Sequence, residues 1–391
     1  MGDADPNVVT VRIVGKLADI SAAEWNACAG DDNPFTRYEF LQSLEESGCV
    51  RAETGWAPYH VVVEDEDKCL LGAVPLYLKG HSRGEYVFDY GWADAYERAG
   101  GRYYPKLLVA VPFTPATGNR LLVREGLDRT EMIDKLAAGC IAVARQLEVS
   151  SLHVNFPTEA EWQRLGALGF LQRTDQQFHW HNRGYGSFED FLADLSSRKR
   201  KTIRRERRDA RASDIEIEVV SGRDLTEAHW DAFYAFYTDT GGRKWGRPYL
   251  NRTFFSLIGE RMPERIALVM CRRGGRWIAG ALNLIGREAL YGRNWGCIED
   301  HRFLHFEACY YQAIDYAIRQ GLSRVEAGAQ GPHKLARGYL PTHIYSAHWL
   351  REARFRRAVD DYLAHERRQV DHDIEYLAEF APFRKDLEAD G

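Results

Sequence analysis

One order of predicted elements occurs twice along this chain, and that repetition constrains the fold more than any other feature. In each half, antiparallel strands precede a long helix, and a short strand follows it, so the apolar period changes from two residues to about 3.6. The helix is predicted at Glu131–Leu147 in the first half and at Phe303–Gln320 in the second. A repeated order of elements at low sequence identity indicates an internal duplication.

The predicted strands complete the repeated pattern. In the first half they are Tyr59–Asp65, Cys69–Lys79, Glu85–Asp89, Ser151–Phe156 and Phe170–Trp180. In the second half they are Arg265–Arg273, Arg276–Ile285, Ala289–Trp295 and Ser323–Ala327. This order is typical of an acetyltransferase domain, a mixed α/β sheet covered by helices. The sequence therefore predicts two tandem domains, residues 1–184 and 185–391, with a basic helix at Phe188–Arg211 and a charged one at Arg351–Phe380.

Composition narrows the class of protein. The 391 residues carry a net charge of -5, which argues against a globally basic nucleic-acid binder. The first residues lack the apolar core of a secretory signal, and no apolar run is long enough to span a bilayer. The seven cysteines are scattered and include no C-x-x-C pair, which argues against a disulfide framework or a structural zinc. We expect a cytoplasmic protein without membrane insertion.

Six stretches of the chain are long or unusual in composition. They read NPFTRYEFLQSLEESG, QFHWHNRGYGSFEDFLADLSSRKRKTIRRER, GRKWGRPYL, LYGRNWGC, LHFEACYYQAIDYAI and EAGAQGPHKLARGYLPTHIYSAHW. These stretches resemble a bacterial family of N-acyltransferases that is labelled peptidoglycan biosynthesis/recognition. That family is related to GNAT acetyltransferases and to FemAB-type aminoacyl ligases. The resemblance implies two tandem GNAT-like domains and acyl-transfer chemistry.

The identity of the acyl donor depends on a loop that this chain lacks. Many GNAT enzymes bind the coenzyme A pyrophosphate in a Q/R-x-x-G-x-G/A loop before the main helix, and neither half shows that motif. The corresponding segment of the second half contains Glu299 and Asp300. Carboxylates there stabilise a helix N-terminus but compete with a phosphate for the same amides. FemAB-type proteins also lack the loop, so acyl-CoA and aminoacyl-tRNA both stay open as donors.

Two carboxylates on apolar elements are the candidate general bases. Glu307 lies in the second long helix, where the positions three and four residues away are apolar or aromatic. Glu326 lies near the carboxyl end of a predicted central strand, where open α/β sheets place ligands. A carboxylate on such a face suits general-base catalysis. It also suits a structural ion pair, and this alternative stays open for both residues.

A histidine and two tyrosines complete the candidate catalytic set. His305 is predicted on the helix face opposite Glu307, together with Cys309, Gln312 and Tyr316. It is either a catalyst or a hydrogen-bonded structural residue. Tyr310 or Tyr339 is a candidate proton donor to a thiolate leaving group. The histidines and carboxylates here do not follow metal-ligand spacing, so no metal is predicted.

The segment Gly328–Tyr339, GAQGPHKLARGY, is the strongest local signal of a binding site. Its glycines allow the backbone to approach a ligand closely. Its donors and cations suit a phosphate or an oxyanion, and the candidates are Gln330, Gly331, His333, Lys334 and Arg337. Alternatively, the segment is a loop of special conformation whose charges are simply solvated.

Cationic and aromatic residues outside that loop extend the candidate site. The basic stretch Arg198–Arg211, including Arg204, is either a solvated helix or a seat for the phosphates of coenzyme A, tRNA or a nucleotide-linked sugar. An acceptor pocket is predicted from Lys244, Trp245, Arg293, Trp295 and Tyr339. The alternative is that these aromatic residues belong to the core.

The residues and the resemblance together predict an N-acyltransferase. A small-molecule amine attacks the acyl group directly, with a carboxylate as general base and no covalent acyl-enzyme. Acyl-CoA is the favoured donor, because a small donor fits a chain of net charge -5 better than a nucleic acid does. Two alternatives stay open: an aminoacyl-tRNA-dependent transferase with tRNA as partner, and a non-catalytic module that binds a glycan or a peptidoglycan fragment.

Overall fold

The computed structural model describes residues 10–212, 214–244, 248–328, 331 and 333–384, and for residues 241–244 it describes the backbone. The chain divides into two compact units. Unit 1 extends to Asp175 and includes Ile344–Gln369, whereas unit 2 comprises Gln176–His343 and the chain from Val370. The predicted domains, residues 1–184 and 185–391, stay a prediction, and each unit is described by itself.

Unit 1 contains two sheets. Its strands are β1 Thr10–Val14, β2 Trp56–Pro58, β3 His60–Glu64, β4 Leu70–Val74, β5 Leu76–Lys79, β6 Lys106–Val109, β7 Leu122–Val123 and β8 Ser151–Asn155. One sheet is antiparallel in the order β1-β3-β4-β7. In the other, β5 lies between β2 and β6, and β6 is parallel to β8. The strand β15 Leu340–Leu350 enters unit 1 from unit 2 and pairs with β8 through Ser346–Leu350.

The helices of unit 1 are α1 Ala22–Ala29, α2 Tyr38–Glu46, α3 Tyr90–Arg98, α4 Arg129–Gln146 and α5 Glu159–Ala167. The long helix α4 begins after Asp128, whose side chain accepts a hydrogen bond from the backbone of Glu131 at 3.0 Å. Its apolar stripe, including Met132, Leu136 and Val143, is buried against the strands. This helix lies within two residues of its predicted range.

Unit 2 has one mixed sheet. Its strands are β9 Leu171–His181, which enters from unit 1, β10 Ile215–Ser221, β11 Ile266–Arg273, β12 Arg276–Ile285, β13 Ala289–Cys297 and β14 Arg324–Glu326. The strands β10 to β13 are antiparallel neighbours, β13 is parallel to β14, and β14 pairs with the end of β9. The mixed α/β class predicted from the sequence is confirmed.

The helices of unit 2 are α6 Phe188–Asp194, α7 Ser197–Arg211, α8 Glu227–Lys244, α9 Arg252–Arg261, α10 Leu304–Phe306 and α11 Gln312–Arg319. A π-helical turn, Glu307–Tyr311, joins α10 to α11. The last helix, α12 Ala353–Ala378, begins in unit 1 and ends in unit 2. Among the described helices, none has both the length and the apolar composition needed to cross a membrane.

Two local predictions are wrong. The helix predicted at Phe188–Arg211 is broken, because the buried Leu195 is extended and forms a β-bridge with Phe383. The strand predicted at Glu85–Asp89 is irregular, and the third strand of that set is β6. The cause is a buried ionic cluster that points two side chains of this segment inward.

That cluster, the Lys106 cluster, comprises Lys106, Glu85, Asp89, Ser82 and Tyr103. The ammonium group of Lys106 is fully buried and donates to Glu85 at 2.8 Å, to Ser82 at 2.7 Å and to Asp89. Tyr103 donates to the same Asp89 carboxylate at 2.7 Å. Burial disfavours the charge of Asp89, but Lys106, with smaller effects of His153 and Ser82, outweighs burial and lowers the pKa of Asp89. The cluster therefore fastens the segment 85–89 to the start of β6.

Candidate active site

In unit 2 the parallel strands β13 and β14 pair over only three residues and then diverge. The pairing of β13 with β14 joins Ala289–Tyr291 to Arg324–Glu326, and β14 ends there while β13 continues to Cys297. A bulge at Asn283 also disturbs the register between β12 and β13. Ligands of α/β sheets bind at the carboxyl ends of parallel strands where connections diverge. The gap beyond Glu326 is therefore the natural place for a site in this unit.

A cavity of about 110 Å³ lies at this gap. Strand residues form one wall and helix residues the other, among them Asn283, Arg293, Trp295, His305, Cys309, Tyr310 and Ala327. Four of the residues that the sequence singled out thus line one cavity, from two separate segments. Asn283 and Cys309 are lining residues that the sequence reasoning missed. For Asn283 the available signal was an amide within an otherwise apolar strand.

The predicted acceptor pocket also included Lys244, Trp245 and Tyr339. Trp245 and the side chain of Lys244 lie outside the described residues. Tyr339 is fully buried, its ring is edge-on to that of Tyr310 with centroids 5.5 Å apart, and its hydroxyl donates to the Tyr310 carbonyl at 3.3 Å. Tyr339 therefore supports the helix behind the cavity.

The π turn rearranges the helix faces that the sequence predicted. In π geometry residues five apart share a face, whereas an α-helix aligns residues three and four apart. His305 accordingly lies edge-on to Tyr310, with ring centroids 5.5 Å apart. Gln312 donates to Glu307 at 2.7 Å, so its predicted place on the opposite face is wrong. Tyr310, predicted beside Glu307, lies with His305 at the cavity.

Tyr310 and His333 form a hydrogen-bonded pair next to the cavity. The Tyr310 hydroxyl lies 3.0 Å from His333 Nε2. Burial raises the pKa of Tyr310, and burial followed by the charges of Arg337 and Lys334 lowers the pKa of His333. Both groups are thus neutral near pH 7, so the unprotonated His333 nitrogen can accept a hydrogen bond from the Tyr310 hydroxyl and orient it.

The two candidate bases have different surroundings. Glu307 is completely buried, and its carboxylate is bonded to Arg207, Arg211 and Gln312. Glu326 is also buried, and its Oε1 accepts from Arg324 at 3.0 Å. Within the described parts of the chain no donor reaches Glu326 Oε2, which lies 3.9 Å from His179 Nε2. The contacts of Glu307 favour the structural alternative, and those of Glu326 leave one oxygen for a substrate or water.

The Lys334 side chain of the segment 328–339 is hydrogen-bonded to the backbone at the start of the same segment. The Lys334 ammonium donates to the carbonyls of Ala327 and, at 2.9 Å, Gly328, and burial lowers the pKa of Lys334 to about 8. At Gly331 the φ angle is 109°, and a Cβ atom would approach the His333 ring to 2.1 Å, so glycine is required there. Gln330 lies outside the described residues.

A second cavity, of about 330 Å³, lies between the start of α7 and the end of that segment. Cationic side chains that line it are Arg198, Lys199 and Arg337. Arg337 bonds both oxygens of Glu206 at 2.8 Å, so its guanidinium is engaged in an ion pair within the protein. Arg204 instead forms an exposed ion pair with Glu189. The solvent-exposed face of α7 bears Arg198, Lys201, Arg204, Arg205 and Arg208.

Unit 1 has an equivalent pair of parallel strands, but its gap is filled. Leu107–Val109 of β6 pairs with Leu152–Val154 of β8. Just beyond them the fully buried guanidinium of Arg120 donates to the carbonyls of Asn155 at 2.9 Å, Ala116 at 2.6 Å and Gly118 at 3.1 Å. The chain itself occupies this position. The gap of unit 2, in contrast, lies beside the cavity described above.

Comparison with known proteins places the chain in context. Residues 16–385 match the model of the FemAB-like family, described as peptidoglycan biosynthesis/recognition, which confirms the resemblance found in the sequence. No curated protein matches the sequence.

Solved structures share the fold at low identity. FemX is 12% identical with a TM-score of 0.54, covering 87% of this chain and 98% of FemX. L-PGS from Bacillus licheniformis is 10% identical with a TM-score of 0.51, covering 86% of this chain and 98% of that one. A conserved protein of unknown function from Bacteroides thetaiotaomicron is 11% identical with a TM-score of 0.50, covering 88% and 100%. These structures share the fold of this chain, and the predicted α/β fold class is confirmed.

Proposed function

Because the chain belongs to the FemAB-like family, we propose that it is an acyltransferase that moves an acyl group from an activated carrier to an amine, within the cavity between β13 and β14. One observation carries the proposal. The parting of these parallel strands brings Arg293, Trp295, His305 and Tyr310 to one cavity, whereas the equivalent gap of unit 1 is filled by Arg120. The family description supports an amine of a peptidoglycan precursor as the acceptor.

In the proposed reaction the amine nitrogen attacks the acyl carbon directly. A carbon–nitrogen bond forms, and the bond from the acyl carbon to the sulfur or oxygen of the carrier breaks. Glu326 Oε2, which no donor of the described residues reaches, takes the proton from the amine through a water molecule. Tyr310, oriented by its hydrogen bond to His333 at 3.0 Å, donates a proton to the leaving group. Water then returns a proton to Tyr310 and takes up the one held by Glu326, which restores both groups.

For the carrier we propose acyl-CoA. The cavity beside α7, about 330 Å³, has the size of small-ligand sites. Arg198 and Lys199 at its edge supply positive charge for a phosphate group. The segment before α10 lacks the pyrophosphate-loop motif. It carries Glu299 instead, which is bound by Arg273, Arg276 and His301. In this proposal the cationic α7 replaces that loop.

Charged tRNA is a second candidate carrier, and one observation favours it. The exposed cations of α7 run from Arg198 to Arg208, a helix length of about 15 Å. Such a strip spans several phosphates of a nucleic acid, because each strand of a duplex carries one phosphate per about 3.4 Å of helix axis. Binding of tRNA would fall by a decade or more over a fourfold rise in salt, whereas acyl-CoA has few phosphates and a weaker dependence. A donor swap at two salt concentrations separates the two carriers.

Reversing one charge on α7 tests this carrier site. Arg198→Glu is expected to raise the KM for the donor about tenfold with little change in kcat, because it places a like charge beside the phosphate. The measurement is steady-state release of free thiol from acyl-CoA, or loss of charged tRNA, with an amine panel that includes muropeptides. Arg102→Glu, an exposed charge reversal in unit 1, is the matched control and leaves KM unchanged. Equal KM values for the two variants would remove α7 from the site.

The same assay addresses the non-catalytic alternative. A wild-type protein that binds muropeptides, yet releases no thiol and consumes no charged tRNA, is a binding module. That result would overturn the proposed acyl transfer.

A further inference from the structure

The helix behind the cavity owes its geometry to the π turn Glu307–Tyr311. Residues five apart in an uninterrupted α-helix point about 140° away from each other. Here two such pairs are in contact, His305 with Tyr310 on the cavity side and Glu307 with Gln312 on the other. The π turn is therefore what brings both cavity-facing rings of this helix together. Turns of this kind are rare in proteins, and those that occur are often found at functional sites.

A fully buried carboxylate is bonded across this turn. Arg207 donates from Nε to Glu307 Oε2 at 3.1 Å and from Nη2 to Oε1 at 3.1 Å. Oε1 also accepts from Arg211 at 2.9 Å and from Gln312 at 2.7 Å. The Arg207 guanidinium lies 4.1 Å from the centre of the Phe188 ring, which fixes its plane. The helix α7 is thus attached to the π turn through Glu307, and Tyr311 of the turn also donates a hydrogen bond to Glu206 of α7.

These bonds are better suited to holding a backbone than to accepting a proton. Both oxygens of Glu307 already accept hydrogen bonds from cations, and a proton acceptor would have to give up at least one of them. Buried ion pairs contribute little net stability but specify one arrangement of the chain in some proteins. In this helix the arrangement specified is the one that places His305 and Tyr310 at the cavity.

We propose that Glu307, with Arg207 and Arg211, is a positioning group: it holds the π turn so that Tyr310 and His305 face the substrate cavity. The inference rests on the function proposed above for that cavity. The two faces of α7 then have different roles. The face with Arg207 holds the π turn, and the exposed face contacts the phosphate of the donor.

The test compares Glu307→Gln and Arg207→Lys. The glutamine keeps the shape of the side chain but removes the charge, and the lysine keeps a charge but removes the two-pronged contact. Both variants are expected to lower kcat about a hundredfold and leave the KM for the donor within about threefold, because small misplacement of catalytic groups costs this much. Hydrogen exchange of the backbone amides at 308–312 is expected to be faster in both. Glu216→Gln, which breaks the exposed ion pair with Arg272 between β10 and β11, is the control and changes neither kcat nor the exchange rates.

The pH profile separates positioning from base catalysis. A positioning role leaves the shape of the kcat profile unchanged in Glu307→Gln while its height falls. In base catalysis kcat falls at low pH as the base becomes protonated. If Glu307→Gln loses this fall while its amide exchange stays as in the wild type, Glu307 is the base and the proposal is overturned. Full kcat with unchanged exchange would also overturn it. If Glu307→Gln does not fold, Arg207→Lys supplies the same two measurements.

The exchange measurement does not depend on turnover. If the wild-type protein transfers no acyl group, the proposed function fails, and the exchange rates still show whether Glu307 holds the turn.

Discussion

Replacing Lys106 by methionine is expected to lower the free energy of unfolding by about 3–5 kcal/mol, the usual cost of leaving buried charges without their partner. The variant keeps the apolar stem but removes the ammonium group that bonds Glu85, Asp89 and Ser82. The ammonium is closed off from bulk solvent, since Lys106 is fully buried. Urea unfolding at pH 7, with amide exchange of β6 to report on unit 1, measures the loss.

The sign of the pH dependence gives an independent check. Lys106 outweighs burial and lowers the pKa of Asp89, so this pair stabilises the folded state above about pH 4, the ordinary pKa of an aspartate. The contribution shrinks as pH falls toward the folded-state pKa. The difference in unfolding free energy between the wild type and Lys106→Met is therefore expected to be smaller at pH 3 than at pH 7.

The control is Lys135→Met, which removes an i,i+4 ion pair with Glu131 on α4 and costs only about 0.5 kcal/mol. Equal losses in the two variants would contradict the role of the Lys106 cluster.

Filling the cavity of unit 2 is expected to abolish acyl transfer while the fold persists. Ala327 lines the cavity of about 110 Å³ directly after β14, so the ring of Ala327→Phe occupies the space needed by the acyl group. We expect kcat/KM to fall a hundredfold or more, on the order of the cost of losing productive placement. The decisive assay is turnover with the donor identified by the swap experiment, beside a thermal unfolding curve.

The control for this variant is Ala212→Phe, which adds the same ring at the exposed end of α7. It is expected to retain wild-type turnover. Retained activity in Ala327→Phe, with a melting curve like that of the wild type, would place the reaction elsewhere in the protein.

Local periodicity was sufficient to predict the main elements, because each of them buries one apolar face. The helix α4 and the strands β11 and β12 lie close to their predicted bounds for this reason. The segment Glu85–Asp89 misled the same reasoning. Its pattern of burial is the reverse of the expected one. The carboxylates of Glu85 and Asp89 are buried beside Lys106, whereas Tyr86 and Phe88 are 38% and 61% exposed. A partner 17 to 21 residues away leaves no local signal.

The candidate site was predictable in its residue types more than in its roles. Arg293, Trp295, His305 and Tyr310 stood out as polar or aromatic residues beside apolar elements, and they line one cavity. The counting of helix faces failed at Gln312, because nothing in the sequence distinguishes a π turn from an α turn. The cations Lys334 and Arg337 attracted attention by charge alone, whereas the structure shows them bonded to carbonyls and to Glu206.

The order of the chain has a consequence for synthesis on the ribosome. Unit 1 includes Ile344–Gln369, and β8 pairs with β15 through Ser346–Leu350. After Asp175 has been made, 194 further residues must follow before Gln369 exists (369 minus 175). At 5–20 residues per second this takes roughly 10 to 40 s. One edge of β8 lacks its partner strand until Leu350 has been added, and the nascent first unit remains incomplete until Gln369 has been added.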